Sequence, residues 1–155
     1  MHPWRKPGQV IDLHGLQQVL WPIHCVQDMF GSEFVKELNT DGITAVFQKG
    51  TDPTVDSYSG FFDNGKRKST GLGDYLRERG VEEVFVMGLA TDYCVKFTAL
   101  DALDLGFKTY LIEDGSRGVN LQENDVDNAV AEMQEKGVIV IQSTDSILKL
   151  NSTTV

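Results

Sequence analysis

The run Val84-Phe85-Val86-Met87-Gly88-Leu89-Ala90-Thr91-Asp92-Tyr93-Cys94-Val95 restricts what this chain can fold into more than any other. Val84–Leu89 is apolar throughout, as expected for a parallel strand covered on both faces. A tight turn then leads into a helix. Thr91 is a natural N-cap, which puts Cys94 at N3. Backbone N–H groups there lack helical partners, and the positive end of the helix dipole favours anions. A thiol in that place ionises more readily than a free one, and the thiolate is the nucleophile. The position suits a core cysteine equally well, because free Cys is among the most buried residue types. The residues of this run leave both readings open.

The rest of the chain continues the alternation. Thr44–Lys49 is a short apolar strand ended by Gly50. Thr51–Gly71 is a long connection with Pro53, Gly60, Gly65 and Gly71, and loops of that length inside a compact domain are usually functional. Leu72–Arg79 is a helix closed by Gly80. The helix from Thr91 runs to Leu105 and stops at Gly106. Phe107–Glu113 is a strand. Asn124–Lys136 is a helix with Val126, Ala129, Val130 and Met133 on one stripe, and Val138–Gln142 is the last strand. Residues 1–30 read as loop with a strand-like piece at Val10–Leu13, Phe34–Leu38 as a short helix, and Asn151–Val155 as a frayed tail. Strand and helix in alternation imply right-handed crossovers and a parallel sheet, an α/β fold. With no internal repeat, the 155 residues (1–155) read as one domain able to bury a core.

Composition narrows the function classes. Apolar residues at 41% and charged residues at 24% are ordinary globular values. A net charge of −9 argues against nucleic-acid and membrane-surface partners. The one basic cluster, Lys66-Arg67-Lys68, reads as a solvated turn. No apolar run approaches about 18 residues and no signal-peptide pattern occurs, so a soluble cytoplasmic protein is expected. Cys25 and Cys94 lie far apart, which suits free thiols in a reducing compartment.

Gly88-Leu89-Ala90-Thr91-Asp92-Tyr93-Cys94-Val95, with Asp101-Ala102-Leu103 after it, closely resembles the nucleophile segment of the nicotinamidases, a branch of the isochorismatase-like cysteine hydrolases. Trp21-Pro22-Ile23-His24-Cys25-Val26-Gln27 is similar to that family's Trp-Pro-x-His-Cys-Val segment. Lys49-Gly50 and Asp56-Ser57-Tyr58-Ser59-Gly60-Phe61-Phe62-Asp63-Asn64 resemble its lysine strand and substrate loop. Asp114-Gly115-Ser116-Arg117-Gly118-Val119 resembles the turn after its next strand. The resemblance covers about His2 to Ile141 in order and spacing. It implies a three-layer sandwich around a parallel sheet, and conversion of nicotinamide to nicotinic acid and ammonia through a cysteine thioester, in NAD salvage.

The resemblance also distributes roles. Cys94 would be the nucleophile, and the N–H groups of Ala90 and Cys94 the oxyanion donors, with a cis peptide at Leu89-Ala90. Lys49 would stabilise the thiolate; read from its strand alone, it is an ordinary lysine reaching for solvent. Trp21 and Tyr58 would wall the pyridine ring, although aromatic pairs are more often core. His24 corresponds to a metal-binding histidine; read alone it is a hydrogen-bonded loop residue. The family metal would be zinc, iron or manganese, and one histidine cannot hold it where three protein ligands are usual. Weak or absent metal binding by the 155-residue chain is therefore expected. Cys25 reads as structural, His2 and His14 as surface loop residues, and Ile23 departs from the acidic or small residue common at its position. Nicotinamide is the implied partner, and a homo-oligomer is left open.

Two family runs do not occur among these residues: the strand ending in Asp-x-Gln or Asp-x-Asn-Asp, whose first Asp is the base, and the Asp-x-His-Pro-x-x-His run that supplies most metal ligands. Met1-His2-Pro3-Trp4 looks like the stretch just beyond them. The expectation is therefore a chain short of its first two βα units, on the order of sixty residues. Such a chain is a piece of the enzyme, a remnant that keeps the pocket wall without turnover, or a related cysteine hydrolase of another small amide, against which the Trp21–Cys25 run argues. Asp52 and Asp92 are the candidate substitute bases, with Asp92 also suited to stabilising the helix start.

Overall fold

The computed structural model describes residues 6–150. The expectations for Met1–Trp4, His2 included, and for the Asn151–Val155 tail lie outside them. The chain divides into two compact units, one ending at Val46 and the other beginning at Phe47.

The first unit holds one antiparallel hairpin, β1 (Val10–Leu13) and β2 (Leu16–Val19), where the sequence suggested a single strand-like piece. Its two-residue turn, His14-Gly15, has positive φ at both positions (54° and 80°), which matches the twist of the flanking strands. Ile11 and Gln18 are buried in the hairpin. Phe34–Leu38 forms no helix; a single turn closes there by Leu38 N–H donating to the Val35 carbonyl (3.0 Å). Phe34, Val35 and Leu38 are all exposed, so no apolar stripe is covered that would stabilise a helix this short.

The second unit is built on a parallel sheet of β3 (Glu83–Leu89), β4 (Lys108–Arg117) and β5 (Ile139–Ile141), in that spatial order. Helices α1 (Leu72–Glu78), α2 (Lys96–Asp104), α3 (Asp125–Lys136) and α4 (Ser146–Leu150) complete it. One sheet face packs on α2 and α3 through Val95, Ala99, Leu111, Met133 and Val138. Toward the bottom of that face, Phe61, Ala102 and Phe107 draw in Leu72 and Leu76 of α1. On the opposite face, Tyr110, Ile112 and Ile141 meet Ile147 and Leu148 of α4. These are the three layers expected of an isochorismatase-like sandwich. α4 had no counterpart in the sequence reading.

Two expectations about strands are corrected. Residues 44–49 make no ladder, because a strand exists only with a partner to receive its hydrogen bonds. β3 is not covered on both faces: it pairs on one side alone, and Met87 and Leu89 are 62% and 74% exposed. β3 and β4 run in register from Glu83↔Lys108 to Val86↔Leu111, then slip, so that Gly88 faces Ser116 and Leu89 faces Arg117. Gly88 sits at the slip with φ 119°, a conformation that costs a side-chain-bearing residue dearly. The slip extends β4 to Arg117, where a turn was expected after Glu113.

The sidedness of this sheet has a direct test. Leu111→Ala, at a position with no exposure, should cost about 2–5 kcal/mol. Met87→Ala should stay within about 0.5 kcal/mol, as surface changes do. Urea denaturation of both variants checks this, and equal losses would mean that the Met87 face is covered in solution.

Candidate active site

The segment beyond the carboxyl end of β3 begins with a cis peptide bond at Leu89-Ala90, in agreement with the family expectation. Ala90 is the last extended residue (φ −104°, ψ 146°), and Thr91–Val95 forms one π-helical turn before α2. The N-cap is therefore Ala90, not Thr91. Thr91 is buried inside the turn, and Cys94 is the fourth helical residue, not the third. The Ala90 carbonyl accepts from the N–H groups of Tyr93 and Val95, both at 3.0 Å, the donors on either side of Cys94. Such single π-turns recur at functional sites because they widen the backbone locally. Cys94 is half-buried and is a free thiol.

Asp92, an acidic residue in the first helical turn, also makes a long-range tie. It is 6% exposed, and its two carboxylate oxygens accept from Val119 N–H (2.9 Å) and Asn120 N–H (2.8 Å). It thus ties the π-turn to the backbone leaving β4. Gly118 lies against it: a Cβ there would run into the Val126 side chain and press on the Asp92 carboxylate.

On the other side of Cys94 stands the loop 56–64. Tyr58 is half-buried, and its ring meets Tyr93 edge-on and Phe97 at a tilt, each with centroids 5.4 Å apart. Burial raises the Tyr93 hydroxyl above its ordinary range. The Tyr58 N–H donates to Asn64 Oδ1 (3.0 Å), and Gly60 N–H donates to Thr98 Oγ1 (2.9 Å). Thr98 Oγ1 in turn donates to the Cys94 carbonyl (2.6 Å). The sequence reading missed Thr98. Its spacing of four from Cys94, one helical turn, was the available signal.

Lys49 is exposed, and its Nζ donates to the Ser57 carbonyl (2.6 Å). A cavity of about 280 Å³ opens beside it, lined by Lys49, Asp52, Ser57, Asp63, Lys68 and Thr70. Cys94 does not line this cavity. Asp52 accepts from both the N–H (2.8 Å) and hydroxyl (2.6 Å) of Thr54, bonds that hold its carboxyl below the usual carboxylate range.

The basic run is the exposed turn expected of it, and its first lysine also reaches α2. Lys66 pairs with Asp101 (2.8 Å) and Asp104 (3.3 Å) of α2, and the Asp101 bond raises the lysine above its ordinary value. Asp63 organises the turn by accepting from the N–H groups of Gly65, Arg67 and Lys68. The first unit holds Trp21, half-buried, and His24, exposed, whose Nδ1 lies 2.6 Å from the Pro22 carbonyl. That contact leaves Nε2 as the ring's remaining ligand atom. Cys25, expected to be structural, is exposed, with φ 45°. Among the described residues, no three His, Cys, Asp or Glu side chains are grouped to hold a metal. The donor set does not fit a divalent metal by itself. No described helix is long and apolar enough to cross a membrane.

The isochorismatase domain matches residues 12–145, and the chain belongs to that family. It is 52% identical over 139 residues to a nicotinamidase of Escherichia coli, which covers 90% of this chain and 64% of the relative. The chain thus spans less than two thirds of that relative's length. The structure superposes on an Acinetobacter baumanii nicotinamidase pyrazinamidase with a TM-score of 0.89 at 44% identity, over 93% of this chain and 69% of that one. A pyrazinamidase of Pyrococcus horikoshii in complex with zinc matches with a TM-score of 0.67 at 40% identity, over 79% and 63% of the two chains.

Gly118→Ala should destabilise the chain by about 1–3 kcal/mol through overpacking. Val126→Ala in the same chain should return part of the loss; urea midpoints decide, and no rescue would mean that the strain lies elsewhere. The Lys66 pairing carries a pH signature. Its folded value lies above the lysine's ordinary 10.5, so its contribution is full below that value and is lost as pH rises through the raised one. The melting difference between wild type and Lys66→Met should be constant across neutral pH and shrink only on the strongly alkaline side. The difference should be small, because Lys66 is largely exposed.

Proposed function

We propose that this protein is a cysteine amidohydrolase of the nicotinamidase type, converting nicotinamide to nicotinic acid and ammonia within a single isochorismatase-like domain. The observation that carries the reading is the junction of three features at Cys94. These are the thiol in the opening helical turn, the cis-linked Ala90 ahead of it, and the Tyr58–Tyr93–Phe97 aromatic cluster beside it. The 52% identity to a nicotinamidase supports the same substrate.

In this reading the Cys94 thiolate attacks the carboxamide carbon, forming a C–S bond and moving the carbonyl electron pair onto oxygen. The N–H groups of Ala90 and Cys94 receive that oxyanion, since donors at a helix start need no reorganisation. Collapse breaks the C–N bond, and the nitrogen leaves as ammonia after taking a proton. Water then forms the new C–O bond, the C–S bond breaks, and nicotinic acid departs. Lys49 stabilises the thiolate once its ammonium turns from the Ser57 carbonyl. Tyr58 flanks the ring.

The proton needs a base. Neither substitute weighed from the sequence serves: both Asp92 oxygens are engaged by backbone N–H groups, and Asp52 is held by Thr54. The family's Asp run does not occur among these 155 residues. His24 is this chain's candidate metal ligand, supported by the zinc of the Pyrococcus relative, and no step above is routed through a metal. The substrate is a small molecule, and the free thiols fit a cytoplasmic setting.

Ammonia release from nicotinamide should be low for the chain alone, by about 10²–10⁴-fold, the usual contribution of a general acid–base. Fusing the N-terminal third of the Escherichia coli relative ahead of residue 1 should restore it, and Cys94→Ala in the fusion should abolish it. Full activity of the 155-residue chain would refute the need for an outside Asp. A fusion that folds but is inert would refute the function.

A further inference from the structure

We propose that Thr98 is a positioning residue that sets the distance between the nucleophile and the aromatic wall. A threonine hydroxyl bonded to the carbonyl four residues back is common in helices and usually ends there. Here the same oxygen has a second partner. It donates to the Cys94 carbonyl (2.6 Å) and accepts from Gly60 N–H (2.9 Å), across 38 residues of sequence. A hydroxyl has one proton, so donating to Cys94 aims its lone pairs outward, where Gly60 meets them.

Loop 58–60 is thereby fastened to the turn that carries Cys94. Gly60 is held from its other end as well, its carbonyl accepting from Thr70 Oγ1 (2.7 Å). The two residues also lie in van der Waals reach: a Cβ on Gly60 would sit at an ordinary 3.5 Å from the Thr98 side chain. Tyr58 lies two residues before Gly60, with its ring against Tyr93 and Phe97, the neighbours of Cys94 and Thr98 in the chain. Any slack at Thr98 is slack between Tyr58 and the Cys94 thiol. Positioning of this kind matters because an ångström of misplacement can cost a large factor in reaction rate or binding.

This inference rests on the nicotinamide reading for its ligand, and the test separates the two. Alkylation of Cys94 by iodoacetamide is followed by peptide mass mapping, which resolves it from Cys25, with and without nicotinamide. Thr98→Val keeps the shape and removes the hydroxyl, leaving Gly60 N–H without its acceptor. It should raise the nicotinamide concentration for half-protection by roughly tenfold, the scale of an unmet buried donor. The rate without nicotinamide should stay within about twofold, because the helix start and its dipole are untouched. Thr98→Ser should restore protection. Hydrogen exchange of the Gly60 amide should accelerate in the valine variant and not in the serine variant. Unchanged half-protection, or an equal change in the unprotected rate, overturns the positioning role. A wild-type chain that nicotinamide does not protect overturns the substrate reading, and unchanged Gly60 exchange in Thr98→Val then removes the clasp too.

Discussion

The hydrogen-bonded loop from Ser57 to Gly60 is the constraint on which the candidate site depends. One end accepts the Lys49 ammonium at the Ser57 carbonyl, and the other donates to Thr98, whose hydroxyl holds the Cys94 carbonyl. Between them Tyr58 is pinned by its N–H to Asn64 and by its ring to Tyr93 and Phe97. A loop bonded at each residue in this way behaves as part of the scaffold, because releasing it leaves buried donors and acceptors unmet. Ser57 and Ser59, both buried, serve the loop itself: Ser57 Oγ donates to the Phe62 carbonyl and Ser59 Oγ accepts from Phe61 N–H.

The sheet supplies the second constraint. β3 and β4 lose register at Gly88, and the three-residue excess on β4 folds back so that Ser116 Oγ donates to the Ile112 carbonyl. Pairing resumes beyond that irregularity, and the two strands end together at Leu89 and Arg117. Asp92 then ties the π-turn to Val119 and Asn120 just beyond. Cys94 is thus held from two directions, by Asp92 toward β4 and by Thr98 toward loop 57–60. A nucleophile that must meet a carbon within a fraction of an ångström needs such support.

Much of this was legible from periodicity and punctuation. α1, β3, α2, α3 and β5 lie within a residue or two of their sequence bounds, apart from the π-turn that opens the 91–105 helix, because Gly80, Gly106 and Gly137 stop the helices and the apolar stripe of Met133 and Ala129 faces the core. Other features were not legible, for physical reasons. The 44–49 segment has strand composition, but pairing is not a local property. Asp92 reads as a helix-start charge, but its tie to the distant Val119 and Asn120 amides could not be read locally. Lys66 is exposed as its run suggests, but its partner Asp101, 2.8 Å away on α2, is 35 residues along the chain and could not be read locally. The π-turn has no sequence signature at all, and it moved Cys94 by one helical position. Lys49, Tyr58, Ala90 and Cys94 stand out in the sequence through the motifs that contain them, whereas Thr98 is visible only once Gly60 is in place.

The central claim is that Cys94 forms a thioester with the acyl group of nicotinamide. Hydroxylamine intercepts such an intermediate by attacking the thioester carbon in place of water. With the fusion that carries the Asp run, turnover in hydroxylamine should yield nicotinohydroxamic acid at the expense of nicotinic acid, and Cys94→Ala should yield neither. Nicotinic acid formed with no hydroxamate at saturating hydroxylamine, or turnover that survives Cys94→Ala, would contradict the account.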